Sequence, residues 1–324
     1  MRPQLNLRVA GLTAIGALCT GSEVAGAQAP AQSDSAPSVS MAIADRELAF
    51  GQSLSVSGRA TQAAGGTVNL QFRARGTSAW RGVARSTAAA DGRFRFEELV
   101  SRSGAVRVVT AAGASQGSGE VQAPPPAAAS RERGVVVAAR VATLSSRLDV
   151  LRGRQAMVAG TVRPAVAGRT VALERAKAGR WVRLATARTD ARGRYSLTVA
   201  GDEPGTAPVR VRFGGDRANG PAQRTAGRLS VYRPALASRY DLYGSALACG
   251  GSLGYDSMVV AHKSLPCGTR LTIRYRDRTV QATVRDRGPF AGGREFDLAG
   301  AVARKLGFEG VGTIWVSPVA TSRR

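Results

Sequence analysis

The segment TRLTIRYRDRTVQATVRDRGPF, residues 269–290, decides the fold. Apolar and polar residues alternate with period two over Thr269–Tyr275 and again over Thr279–Val284. That period belongs to a half-buried strand, whereas a helix repeats every 3.6 residues. Downstream, Leu298–Leu306 (LAGAVARKL) reads as a short amphipathic helix ended by Gly307, and Gly312–Val316 as a last strand. Residues 236–320 are therefore expected to form a mainly-β barrel with one or two short helices.

Upstream lie two similar units. GQSLSVSG followed by GGTVNLQFRARGTSAWRGVARSTAAADGRFRF returns as GRQAMVAG followed by GRTVALERAKAGRWVRLATARTDARGRYSL. Gly58 aligns with Gly160, Val68 and Leu70 with Val171 and Leu173, Trp80 with Trp181, Gly92 with Gly193, and Phe94 with Tyr195, at a spacing of 101–103 residues. Runs such as Val68–Phe72 alternate with period two, and turn signals such as Asp91-Gly92 and Arg192-Gly193 separate them. About 100 residues per unit with many short strands predicts an antiparallel β-sandwich, and both units resemble bacterial immunoglobulin-like modules. Three boundaries are expected. Residues 30–38 form an Ala/Pro/Ser/Gln-rich leader. Residues 123–135, which begin APPPAAASRER, form a linker, because Pro124-Pro125-Pro126 fits neither a helix interior nor a central strand. The third lies near Arg233-Pro234. The sandwiches then span 39–122 and 136–232. Trp80 and Trp181 read either as strand packing or as carbohydrate platforms.

The N-terminus has Arg2 and Arg8 ahead of an apolar run from Val9 to Leu18, and Ala27-Gln28-Ala29 supplies a small-x-small site. This is the pattern of a secretory signal peptide over residues 1–29, cut near Ala29, and it is too short for a membrane span. Cys19 follows Gly16-Ala17-Leu18, the wrong order for a lipid-anchor signal. The mature chain is thus expected to be exported, without a transmembrane segment. Cys249 and Cys267 remain, and an even pair in an exported chain reads as one disulfide.

The formal net charge is +24; three of the 46 basic residues are lysine and 43 are arginine. Arginine over lysine is what a GC-rich genome writes, but the excess of sign also suits an anionic partner, such as a wall polymer. No nucleic-acid-binding fold signature or arginine-rich helix is present, so nucleic acid is set aside as a partner.

Five segments of the C-terminal region carry a more specific signal: ACG at 248–250, VAHKSLPCGT at 260–269, VRDRGPF at 284–290, GREFDLAGAVARKLGF at 293–308 and GVGTIWV at 310–316. In this order they resemble the rare-lipoprotein-A family of double-psi β-barrels, in its branch with paired cysteines. The resemblance implies a six-stranded barrel acting on peptidoglycan glycan strands. In some members it implies lytic transglycosylase activity, endolytic and septal. Phe296-Asp297-Leu298 also resembles the "FDL" acid of expansins, which share the barrel. That leaves a non-catalytic glycan-binding or wall-loosening module as the alternative. An adhesion or scaffold protein that works through its sandwiches is a third reading.

Cleaving a glycosidic bond requires a carboxylic acid to protonate the leaving oxygen. Hydrolases use two carboxylates. A lytic transglycosylase lets the muramic acid 6-hydroxyl attack, and one desolvated acid/base suffices. Asp286 is the first candidate, because it ends an apolar strand at a strand-to-loop corner; the bland role is to brace the loop at Arg287. His262, the sole histidine, is the candidate proton partner or substrate donor, and the two are expected to face one trough. Asp297 is a second acid or the cap of the following helix. Asp256 is a third possible acid, Tyr240 and Tyr243 are candidate sugar platforms or core residues, and Arg287 is a possible substrate contact. The pattern departs from the family's active members at Gly251, eleven residues before His262, where they carry an acid.

Other motifs fall away. Gly250-Gly251-Ser252-Leu253-Gly254 matches a hydrolase nucleophile elbow, which needs a strand–turn–helix in a parallel sheet that nothing here resembles. One histidine and two cysteines expected in a disulfide do not make a zinc site, and no phosphate loop or dinucleotide fingerprint occurs in a suitable context. No cofactor is expected.

Overall fold

The structure, a computed structural model, describes residues 38–110, 128–290 and 292–319. The expected signal peptide and nearly all of the leader lie outside the described residues.

Strands, numbered in chain order, fall into three bodies. The first holds β1 (Val39–Ile43), β2 (Glu47–Leu48), β3 (Ser53–Ala60), β4 (Thr67–Ala74), β5 (Arg81–Thr87), β6 (Arg93–Leu99), β7 (Gly104–Thr110) and β8 (Arg133–Val137). They form two sheets, β1-β3-β6 and β2-β8-β7-β4-β5. The second holds β9 (Arg140–Arg147), β10 (Asp149–Leu151), β11 (Gln155–Arg163), β12 (Thr170–Lys177), β13 (Arg180–Arg188), β14 (Arg194–Ala200), β15 (Gly205–Phe213) and β16 (Ala222–Tyr240). Its sheets, β14-β11-β9 and β13-β12-β15-β16 with β10 beside β16, repeat the first topology strand for strand. Both are sandwiches. Inward residues of the facing sheets build each core, led by Leu54, Val56, Leu70 and Val106 in one and by Val158, Leu173, Leu197 and Val211 in the other.

The repeated glycines have one physical reason in both copies. A Cβ on Gly58 would overlap the Ser40 carbonyl and the Phe94 ring, and one on Gly160 would overlap the Ala142 carbonyl and the Tyr195 ring. The neighbouring strand and the aromatic of the next strand close over a bare backbone, and Tyr195 Oη then donates to Ala142 O at 3.0 Å. Overpacking of this kind costs roughly 1–3 kcal/mol. Gly160→Ala is expected to lower the unfolding free energy by that amount in urea titration; an unchanged midpoint would contradict this packing account.

The chain departs from the expected linkers at two places. Within 123–135, residues Arg133 onward are strand β8, which pairs with β7 and, in parallel, with β2, so the first sandwich is completed from beyond the proline run. At Arg233-Pro234 there is no break: β16 runs 19 residues, from the second sandwich into the barrel. Past Tyr232, which still pairs with β10, Arg233, Pro234 and Ala235 pair only with β21 (Val311–Pro318). A proline, lacking an N–H, is admitted on such a one-sided stretch.

The barrel comprises the end of β16, β17 (Val259–His262), β18 (Arg270–Tyr275), β19 (Arg278–Asp286), β20 (Phe296–Ala299), helix α1 (Gly300–Leu306) and β21. The order β16-β20-β17-β19-β18-β21 closes through the β21–β16 pairing into six strands. Val260, Ile273, Val284, Phe296, Leu298 and Ile314 fill it. Helix α1 ends at Gly307, as expected, and that glycine takes the left-handed conformation of a helix C-terminus. Two of the barrel's pairings, β16–β20 and β17–β19, are parallel. Among the described residues no helix is long and apolar enough to cross a membrane.

Candidate functional site

The site is set by register. In β17, Ala261 pairs with Asp297 of β20 on one side and with Asp286 of β19 on the other. Paired residues share a face of a sheet. Asp286 and Asp297 therefore project to the same side from strands flanking Ala261, with backbones about 10 Å apart at two strand spacings. Ser238 of β16 pairs with Asp297, and Tyr240 follows two residues on, so both join that face. Val260, Phe296 and Leu298, in the alternate positions, face the core.

His262 goes the other way. It pairs with Phe296, their ring centroids 4.7 Å apart, and is buried. Its Nδ1 accepts the backbone N–H groups of Ser264 and Leu265 at 3.0 and 2.9 Å, which places the ring proton on Nε2, 3.3 Å from Glu295 Oε1. Arg233 clamps Glu295 with both terminal nitrogens. This clamp holds the Glu295 carboxyl below its ordinary range, with His262 adding to the effect. The Arg233–Glu295–His262 chain thus fixes the turn after β17. The expectation of Asp286 and His262 facing one trough is corrected: strand alternation separates them, and Asp286 stands with Asp297 instead.

The two carboxyls differ in their surroundings. Asp286 Oδ1 accepts the N–H of Ala248 at 3.1 Å and of Arg287 at 2.9 Å. Asp297 is pushed above its ordinary value by burial, against the opposing pull of Ser238 and Arg294, and Asp286 pushes it further in the same direction. Tyr240 is raised by burial and then by Asp286. Three buried polar atoms here, Ser238 Oγ, Tyr240 Oη and Asp297 Oδ1, meet no partner in hydrogen-bond geometry among the described residues. Buried polar groups are ordinarily satisfied; here Ser238 stands against Asp297 and Tyr240 against Asp286, close enough for Ser238 to shift Asp297 and for Asp286 to shift Tyr240. Among the described residues no group of three or more His, Cys, Asp or Glu side chains is arranged to hold a metal ion.

A disulfide, Cys249–Cys267, ties the 242–254 loop over this face. Beside it, Cys249 N donates to Arg285 O at 3.1 Å and Arg285 donates to Gly250 O at 2.7 Å. Arg287 is occupied as a brace, donating to the carbonyls of His262 and Leu265 and approaching Cys267 Sγ. Gly251 lies in the same loop at φ +77°, a left-handed conformation that strains any other residue, and its loop is shaped around Arg285 rather than around an acid. Asp256 is almost fully exposed and pairs with Arg304 at 3.7 Å. Tyr243 stands just past Tyr240; it donates to Asp241 at 2.6 Å and its ring is 5.3 Å from that of the exposed Tyr255. Phe290, after Gly288-Pro289, is 79% exposed. Sequence reasoning missed Ser238, Arg233 and Glu295. Glu295 had a signal, lying inside the quoted GREFDL; Ser238 and Arg233 had none, because they reach the site only through the β16 pairings.

Residues 235–317 match the family described as lytic transglycolase. The chain is 38% identical over 103 residues to a probable endolytic peptidoglycan transglycosylase RlpA of Nostoc sp., a match covering 30% of this chain and 27% of that protein. It is 38% identical over 73 residues to endolytic peptidoglycan transglycosylase RlpA of Pseudomonas aeruginosa, covering 22% and 21%. It is 37% identical over 76 residues to the RlpA of Neisseria meningitidis, covering 23% and 32%. The chain thus spans about a quarter of the length of these curated relatives. Among solved structures, a tetra-tandem repeat from the extending region of a large adhesion protein is similar at 16% identity and TM-score 0.33, covering 88% of this chain and 74% of that one.

Proposed function

Residues 235–317 form an RlpA-like double-psi β-barrel, and from this premise we propose that the protein is an exported lytic transglycosylase of peptidoglycan glycan strands. The observation that carries the reading is the Asp286–Asp297 pair on one face of β19 and β20, with unlike surroundings. Asp297 is buried and raised while Asp286 is held by two backbone N–H groups, and two carboxyls in unlike settings divide acid and base roles. Asp297, raised by burial, is the proton donor to the glycosidic oxygen. Asp286, positioned by Ala248 N–H and Arg287 N–H, is the acceptor that receives the proton of the attacking 6-hydroxyl. No water is consumed: the C–O bond to the leaving sugar breaks as the intramolecular C–O bond forms. Tyr240 and Ser238 supply hydrogen-bonding groups to the substrate, and Tyr243, Tyr255 and Phe290 offer aromatic faces at the rim. His262 is a positioning residue that shapes the β17 end.

The test is incubation of the purified chain with sacculi and mass spectrometry of the soluble products. 1,6-Anhydromuropeptides are expected. Sacculi released without them, or none released while a relative works in parallel, would overturn the reading. The expansin-like alternative has its own support in the glycine at 251. It predicts undiminished sacculus binding by a chain that yields no anhydro product.

A further inference from the structure

The two sandwiches repeat a feature that the barrel's chemistry does not use. In the first, Arg107 stacks on Trp80 at 4.3 Å from the ring centroid while its Nε donates to Gln71 at 2.9 Å. In the second, Arg210 stacks on Trp181 at 4.2 Å while its Nε donates to Glu174 at 2.7 Å. Arg107 and Arg210 are 103 residues apart, as are Gln71 and Glu174, so the device belongs to the repeat.

In both copies it lies on the outer face of the longer sheet. Gln71 and Glu174 alternate with Leu70 and Leu173, which are fully buried. Cross-strand rows extend it: Arg85 pairs with Asn69 in the first copy; Arg183 and Arg210 flank Glu174, and Arg212 pairs with Ala172, in the second. On the first face Arg85 and Arg107 donate to neutral Asn69 and Gln71, while Arg73, also over Trp80, pairs with Glu132 at 2.6 Å; on the second, Glu174 pairs with Arg210 and Arg212, and Arg183 lies opposite it. Trp181 is 41% exposed and borders a cleft of about 540 Å3 with Arg210, Gln223, Arg224 and Thr225. An indole presents a flat apolar surface to a sugar ring, and a guanidinium held by its Nε offers the planar fork that matches carboxylate or phosphate.

The geometry points to a second binding site: the outer faces of the long sheets take an anionic glycan, a sugar polymer bearing carboxylate or phosphate groups. It is independent of the carboxylate site in the barrel. The arginines neutralise the polymer and the tryptophan stacks on its sugar.

The experiment measures binding of the full chain to polygalacturonate, phosphorylated dextran and plain dextran. The two anionic polymers separate carboxylate from phosphate as the natural source, and plain dextran is expected not to bind. The variant R85S/R183S/R212S is expected to lose at least tenfold in affinity and to show a shallower salt dependence. The variant R93S/R95S/R194S removes as many charges from the short sheets and is expected to change affinity less than threefold. Trp181→Ala is expected to weaken both anionic glycans but not inorganic polyphosphate. Equal losses in the two triple variants would reduce the effect to net charge and overturn the site. So would a Trp181→Ala variant that binds normally, or tighter binding of an oligonucleotide of matched charge. Melting curves of each variant that match the wild type keep the losses assignable to contact.

Discussion

Asp297→Asn is expected to lower glycan cleavage by about 10²–10⁴-fold, the contribution of a positioned general acid, while leaving the chain folded. The amide keeps the shape of the carboxyl and removes only the proton that can be given away. Asp297 is raised above 3.8 by burial first and by Asp286 last. The folded state therefore binds this proton more tightly than the unfolded chain does. Between the ordinary and the raised value the native state holds more protons, so stability falls as pH rises through that window and the loss is complete above it. The amide variant lacks this slope, so the wild type should gain stability relative to it on acidification. The activity limb assigned to Asp297 should fall as pH rises through the same raised value. Anhydromuropeptide release within about threefold of wild type would remove Asp297 from the acid role. A wild-type minus variant stability difference flat with pH would contradict its raised titration.

The Cys249→Ser/Cys267→Ser pair is expected to cost about 3 kcal/mol of stability, the loop-closure entropy of a crosslink of this separation, and to depress cleavage as well. The bond holds the loop whose Ala248 N–H reaches Asp286 at 3.1 Å. Without it, that loop keeps hydrogen bonds such as Cys249 N to Arg285 O and Arg285 to Gly250 O, and the buried Leu247 and Leu253, but no covalent tie. Denaturation followed by the barrel's Trp315 reads the first effect. Amide hydrogen exchange at Ala248 reads the second and should accelerate. An unchanged exchange rate with lost activity would assign the disulfide to stability alone.

Much of the architecture was written locally. Period-two alternation named the strands because a strand sends successive side chains to opposite faces, and burial of one face shows in the sequence. The repeat was visible because both copies solve one packing problem with the same residues: a glycine under an aromatic, Gly58 with Phe94 and Gly160 with Tyr195. The cysteine pair was visible by count. The expected linkers at 133–135 and 233–234 were less legible, since arginine and proline read as boundaries. Whether a segment pairs depends on the edge it meets, and β8 and β16 each meet one.

The sequence by itself determined which residues are candidates: the strands, the glycines, the disulfide and the two aspartates all follow from local pattern. The tertiary structure alone decided which of them stand together. The β17–β19 register steps from Val260–Val284 to Ala261–Asp286, a bulge that skips Arg285. In an unbroken ladder Asp286 would lie opposite His262; the extra residue moves it beside Ala261, on the side of Asp297. A bulge is a property of two strands meeting, set by how both pack, and one residue of slip exchanges the faces of every side chain beyond it.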